Sequence, residues 1–148
     1  MCMTIFFNKA DKTMTLGNRI ALKAFIEKRL KKEGISIECL QYVFCSDQYL
    51  LNINKQFLNH DYYTDIISFD LSETKGQLIG DIYISVDRVK ENAKQLKTTQ
   101  SNELLRVIFH GALHFCGYKD KKPAEAKLMR SMEDKWLKMF LVERFKSK

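Results

Sequence analysis

Runs of strand character alternate with runs of helical period over the first part of this chain and then give way to helices alone. That order restricts the architecture more than any other feature. Thr4 to Asn8 reads as a short first strand. From Asn18 to Glu33 the residues Leu22, Ile26 and Leu30, with Ala21 and Phe25 beside them, recur at helical spacing, and Gly34 stops the helix. Ile35 to Ser46 is strand-like; Ile35, Ile37, Cys39, Val43 and Cys45 share the odd-numbered positions and hence one predicted face. Asp47 is placed to cap a helix running through Leu50, Leu51, Ile53 and Phe57. Thr64 to Leu71 is apolar on both faces, the pattern of a central strand. The polar turn Ser72 to Gln77, which contains Gly76, leads to an antiparallel partner at Leu78 to Ser85. Val86 to Leu96 and Ser101 to Cys116 are helical. Pro123, the only proline, opens the last helix where its missing amide hydrogen costs nothing. On that helix Leu128, Met132, Trp136, Met139 and Phe140 form one stripe, assigned to packing. The order βαβαββααα predicts an α+β domain, a mixed four-stranded sheet with helices packed on it.

A length of 148 residues with 45% hydrophobic content fits one domain spanning 1–148, large enough to bury a single core. No run of about 18 apolar residues is present, and Met1 to Lys9 lacks the apolar core of a signal peptide. The expectation is a cytoplasmic protein with no membrane partner. Cys2, Cys39, Cys45 and Cys116 show neither CxxC pairing nor disulfide-framework density, so they read as reduced thiols, with Cys39 and Cys45 buried in a strand and Cys116 on the apolar side of its helix. The net charge of +7 is concentrated. Lys119 to Lys148 holds ten Lys or Arg against five Asp or Glu, and Arg19 to Glu33 holds six against two. Basic surface of this kind attracts polyanions, nucleic acid above all; solvated helix faces are the plain alternative.

The chemistry gathers in the segment HGALHFCGYKD, from His110 to Asp120. Residues four apart share a helix face, so His110 and His114 can aim ring nitrogens at one point. Gly117 tolerates the left-handed conformation that ends many helices, and the chain can then return Asp120 toward the histidines. Zinc accepts imidazole and carboxylate at about 2.0–2.2 Å, and catalytic sites use three protein ligands with one position open to water. The predicted ligands are His110, His114 and Asp120, holding one Zn2+ per chain; nickel, iron and manganese accept the same donors. His60 is the only other histidine and the rival third ligand, but its polar loop, Asn59 to Tyr63, suits a solvent-facing or substrate-facing role better. Arg106, one turn before His110, together with Lys119, Lys121 and Lys122, is the predicted set for gripping a nucleic-acid backbone beside the metal. Asp65 and Asp81 read as turn or strand-end residues, and no general base is assigned.

The spacing H-x3-H-x2-G-x2-D resembles the metal loop of zincin-type hydrolases. The glutamate that follows the first histidine in H-E-x-x-H proteases is absent, with Gly111 in its place. The longer set HGALHFCGY, TDIISFD (Thr64 to Asp70), Gly80 to Ser85, and a last helix with Leu128, Met129 and Glu133 is similar to the YbeY family of rRNA maturation factors. The resemblance covers roughly residues 35 to 135. It implies the same α+β fold and a zinc-dependent, single-strand-specific endoribonuclease. The implied task is 3′ end maturation of small-subunit (16S) rRNA and ribosome quality control, with the small subunit or its proteins as partners. This chain departs from the family at two places: Asp120 stands where the third ligand is usually histidine, and Leu58 where the family usually carries an arginine tied to activity. The alternatives are a ribosome-assembly factor with a structural metal and a metalloprotease-like hydrolase.

Overall fold

A computed structural model describes residues 4–146. The strands β1 (Ile5–Lys9), β2 (Ser36–Cys45), β3 (Ile66–Asp70) and β4 (Gln77–Ser85) form one mixed sheet in the order β1-β2-β4-β3. The pairs β1–β2 and β2–β4 are parallel, and β3 runs antiparallel to β4 at the edge. Among the described residues five helices complete the α+β architecture: α1 (Arg19–Lys32), α2 (Asp47–Leu58), α3 (Val86–Gln95), α4 (Gln100–Phe115) and α5 (Pro123–Lys146).

Local chemistry sets the helix ends. The side chains of Asn18, Ser46, Ser85 and Thr99 each accept an amide hydrogen from the first turn of the helix they precede. The predicted cap of α2 therefore moves by one residue: Ser46 is the cap, and Asp47 lies in the first turn, where its charge complements the helix dipole.

The sheet corrects two further expectations. Along β2 the register shifts between Ile37 and Cys39, so Glu38 is left over as a bulge. Beyond it the buried face passes to Leu40, Tyr42 and Phe44. Odd-numbered Cys39 is thus only partly buried, while Cys45 is buried on the opposite face with Leu50 and Ile67. The second correction is β3, an edge strand rather than a central one. Its two-sided apolar pattern arises because helices cover both faces there: Ile67 packs toward α2, and Ile66 meets α4 at Gly111.

The larger core lies between the sheet and α1, α3, α4 and α5, with α4 at its centre. Phe109 of α4 meets Phe25, Trp136 and Phe140 with centroids 5.4, 5.8 and 6.1 Å apart. Aromatic pairs in such tilted or edge-on geometry contribute about 0.5–1.5 kcal/mol each beyond area burial. On α5 the buried face is Met129, Glu133, Trp136 and Phe140; of the expected stripe Trp136 and Phe140 are buried, Met132 and Met139 are partly buried against the core, and Leu128 is exposed. A carboxylate therefore occupies a core position. Among the described residues no helix is long and apolar enough to cross a membrane.

Candidate metal centre and its cleft

Two glycines decide how closely α4 lies on the sheet. A Cβ on Gly111 would stand 2.8 Å from Ile82 Cδ1 and 3.0 Å from Ile66 Cδ1, and one on Gly80 would stand 2.8 Å from the Phe115 ring. The helix bearing the histidines is seated at both points because a side chain is missing. The position that carries a glutamate in H-E-x-x-H proteases is thus pressed against β3 and β4, with no room for that residue.

At its other end α4 stops as its sequence requires. Gly117 takes φ +96°, its amide donates to the His114 carbonyl at 3.0 Å, and the Tyr118 amide donates to the Leu113 carbonyl at 3.2 Å. These are the two bonds of a Schellman stop, which turns the chain back across the last turn. Asp120 is thereby returned to the histidines.

The three side chains converge. The Nε2 atoms of His110 and His114 are 3.0 Å apart, and Asp120 Oδ2 lies 3.2 Å from the first and 3.4 Å from the second. Donors bound tetrahedrally at 2.0–2.1 Å stand about 3.3 Å from one another, so this triangle has the dimensions of one face of a metal tetrahedron. The opposite edges of the rings are already engaged. His110 Nδ1 is 2.6 Å from Glu133 Oε2, and His114 Nδ1 is 3.1 Å from the Tyr118 carbonyl. Carboxylate and carbonyl oxygens accept, so each Nδ1 carries the proton and each Nε2 turns a lone pair inward beside the Asp120 oxygen. With both rings neutral, three electron-rich atoms face one another with no hydrogen between them, which suits a divalent cation, and the residues present fit one.

The titration pattern agrees with that reading. Burial, the largest single influence on His110, opposes its charging, yet the hydrogen bond and charge of Glu133, with Asp65 and Asp120, carry its pKa above the ordinary value. Burial and the charge on His110 push His114 below it. Without a metal, a proton on His110 supplies the positive charge the cluster attracts. Nearby, burial lifts the Asp65 carboxyl above the usual range, and Asn92 donates to it at 3.5 Å.

Glu133 is the residue that spacing arguments missed as part of the site. The signal was its place, four residues after Met129 and three before Trp136, a carboxylate in an otherwise buried stripe. Around it, Arg106 reaches Glu133 at 3.4 Å, Asp134 at 2.7 Å and Glu103 at 3.5 Å. The Arg106 guanidinium thus joins α4 to α5 and is taken up by carboxylates. Lys121 lines the cleft beside the donors, Lys119 lines a neighbouring depression with Glu33 and Gly117, and Lys122 is exposed. Asp81 faces a groove on the α2 side of the sheet, away from the donors. His60 lies in the same cleft as the donor set but outside the converging group. The Cys116 thiol, beside the helix stop, is pushed up to about 12 by burial and is a packing group.

The cleft has a volume of about 550 Å3 and is walled by Leu58, His60, Tyr62, Asp65 and Ser68 opposite His110, His114 and Asp120. Fold and donor set together define an α+β domain that presents a helix-borne His-His-carboxylate centre to an open cleft. A family model described as Endoribonuclease YbeY matches residues 6–141, and the chain is 53% identical over 131 residues to Endoribonuclease YbeY of Cytophaga hutchinsonii, covering 88% of this chain and 92% of that protein. The chain belongs to the Endoribonuclease YbeY family. It is also 45% identical over 139 residues to Endoribonuclease YbeY of Christiangramia forsetii, spanning 93% of this chain and 94% of that one. The solution structure of TM1509 from Thermotoga maritima is similar across 97% of this chain and 93% of its own, with a TM-score of 0.63 and 27% identity.

Proposed function

We propose that this protein is a metal-dependent endoribonuclease that cuts single-stranded RNA, with 3′ end maturation of small-subunit rRNA and ribosome quality control as its cellular task. The observation that carries the reading is the inward-facing triangle of His110 Nε2, His114 Nε2 and Asp120 Oδ2, whose outer hydrogen bonds are already made. Those three residues would hold one Zn2+ per chain, and a cation there supplies a Lewis acid for a phosphodiester and acidifies water. Glu133 and the Tyr118 carbonyl orient the two rings. Lys121 places a positive charge at the cleft for a neighbouring phosphate, with Lys119 and Lys122 on the same surface. Asp65 supplies a carboxyl of raised pKa beside the donors, suited to holding or accepting a proton. Gly111 argues against a protease, because the base such an enzyme needs has no space.

One observation favours a second reading. Leu58 puts an apolar side chain in the cleft where the family pattern has arginine, which suits an assembly factor whose metal only supports the fold. Metal analysis of the purified protein, combined with cleavage assays on single-stranded RNA, structured RNA and casein before and after chelation, separates the possibilities. The nuclease reading expects one metal per chain and cleavage of single-stranded RNA that stops on chelation and returns with zinc. It also expects His114→Ala to fold and bind RNA without cutting it. Metal-free wild type that cuts RNA at an unchanged rate overturns it.

A further inference from the structure

α2 ends on Asn59 in the left-handed conformation, φ 59°, and the chain turns back so that the His60 amide donates to the Asn54 carbonyl at 3.1 Å. Asn54 is itself only 2% exposed, and its side-chain amide donates to the Tyr62 carbonyl at 2.9 Å. A buried amide thus fixes the short loop that follows. On that frame the rings of His60 and Tyr62 stack, centroids 5.1 Å apart and planes inclined by 22°, with the Tyr62 hydroxyl 3.0 Å from His60 Nδ1. Tyr62 remains 55% exposed, so the ring is held in position without filling any core. Both rings line the cleft that contains His110, His114 and Asp120, and their neighbour on this wall, Leu58, is apolar. A large aromatic face kept ordered in water beside a reactive centre has surface left to cover.

We infer that His60 and Tyr62 form a stacking platform for an unpaired base of the RNA strand entering the cleft, next to the phosphate at the donor set. This rests on the endoribonuclease reading above and adds how the substrate is gripped. Every base offers a π face, so the platform is tolerant of sequence, but a base stacked inside a duplex cannot reach it. Preference for single strands then follows from this wall. Leu58 fits the same picture: the wall grips by ring faces, and Lys121 supplies charge from the other side.

The test is fluorescence anisotropy with a short unstructured 2′-O-methyl oligoribonucleotide and a set of the same strand carrying one abasic position at each site in turn. One or two abasic positions are expected to weaken binding to the wild type. Tyr62→Ala is expected to weaken binding of the parent strand about 5- to 150-fold and to become indifferent to those same positions, while Tyr62→Phe keeps the wild-type pattern. Thermal melting confirms that the Ala variant is folded. The proposal is overturned if Tyr62→Ala binds the parent strand within twofold of wild type, or keeps the wild type's sensitivity to abasic sites. Parallel cleavage of ordinary RNA separates the two claims. A wild type that cuts RNA while the abasic scan is flat sinks only the platform. A wild type that neither binds nor cuts RNA sinks the function as well.

Discussion

Glu133→Gln tests whether a carboxylate on α5 prepares a donor on α4. The substitution keeps side-chain volume and an oxygen acceptor for His110 Nδ1, so it removes charge without opening a cavity. It does not strand a cation, because Arg106 keeps Asp134 at 2.7 Å and Glu103 at 3.5 Å. In the wild type the 2.6 Å contact raises the electron density that His110 offers through Nε2. Loss of such a partner lowers metal affinity by about 10- to 100-fold, or roughly 1.4–2.7 kcal/mol. In metal-stripped protein the effect depends on pH. The His110 pKa is raised in the folded state, so its contribution to stability is fully present below the unfolded value of about 6.5 and is lost as pH rises through the folded value. At pH 5.5, below the unfolded value, the lost bond joins two charged groups and costs about 1.5–3 kcal/mol; at pH 8.5, where less of the ring is protonated, the cost is smaller. Zinc titration against a chromophoric chelator measures the first quantity, and urea unfolding of stripped protein at the two pH values measures the second. Metal affinity within twofold of wild type, or a stability loss equal at both pH values, would refute the coupling of Glu133 to His110.

Three shorter expectations accompany it. Gly111→Ala gains about 1 kcal/mol of helix propensity but brings a Cβ to 2.8 Å from Ile82 Cδ1, so a net loss of up to about 2 kcal/mol is expected. Adding Ile82→Val, which deletes that methyl group, should recover part of the loss, and strictly additive costs in a double-mutant cycle by urea unfolding would contradict the close contact. Gly117→Ala, at φ +96°, should cost about 1–2 kcal/mol by chemical unfolding and weaken zinc binding by displacing Asp120; an unchanged zinc affinity would show that the helix stop does not deliver the third donor. Metal affinity should rise with pH from about 5.5 upward, because a cation must displace the proton that His110 holds above its ordinary pKa; a flat profile from calorimetric titration at several pH values would contradict this.

What could be read in advance tracks how far apart the cooperating residues lie. Helix spacing, a glycine stop and a short return all fall within His110 to Asp120, so three-donor convergence needs only local rules. The extent of α1 and the order of the elements were accessible for the same reason. Errors began where one element's pattern depended on another. The bulge at Glu38 reverses the faces of β2, since a single leftover residue inverts a period of two, and nothing in the run SIECLQYVFC marks where it falls. Strand β3 carried the two-faced apolar pattern of an interior strand because α2 and α4 cover it from both sides. Glu133 and Gly111 show a subtler dependence. Each gains its meaning from a partner on another element: His110 for the carboxylate, Ile82 and Ile66 for the glycine. The same close packing that leaves no room for a glutamate at 111 carries α4 onto the sheet beside the cleft wall. Placement of the histidines and exclusion of a protease-type base are thus two consequences of one helix–sheet contact.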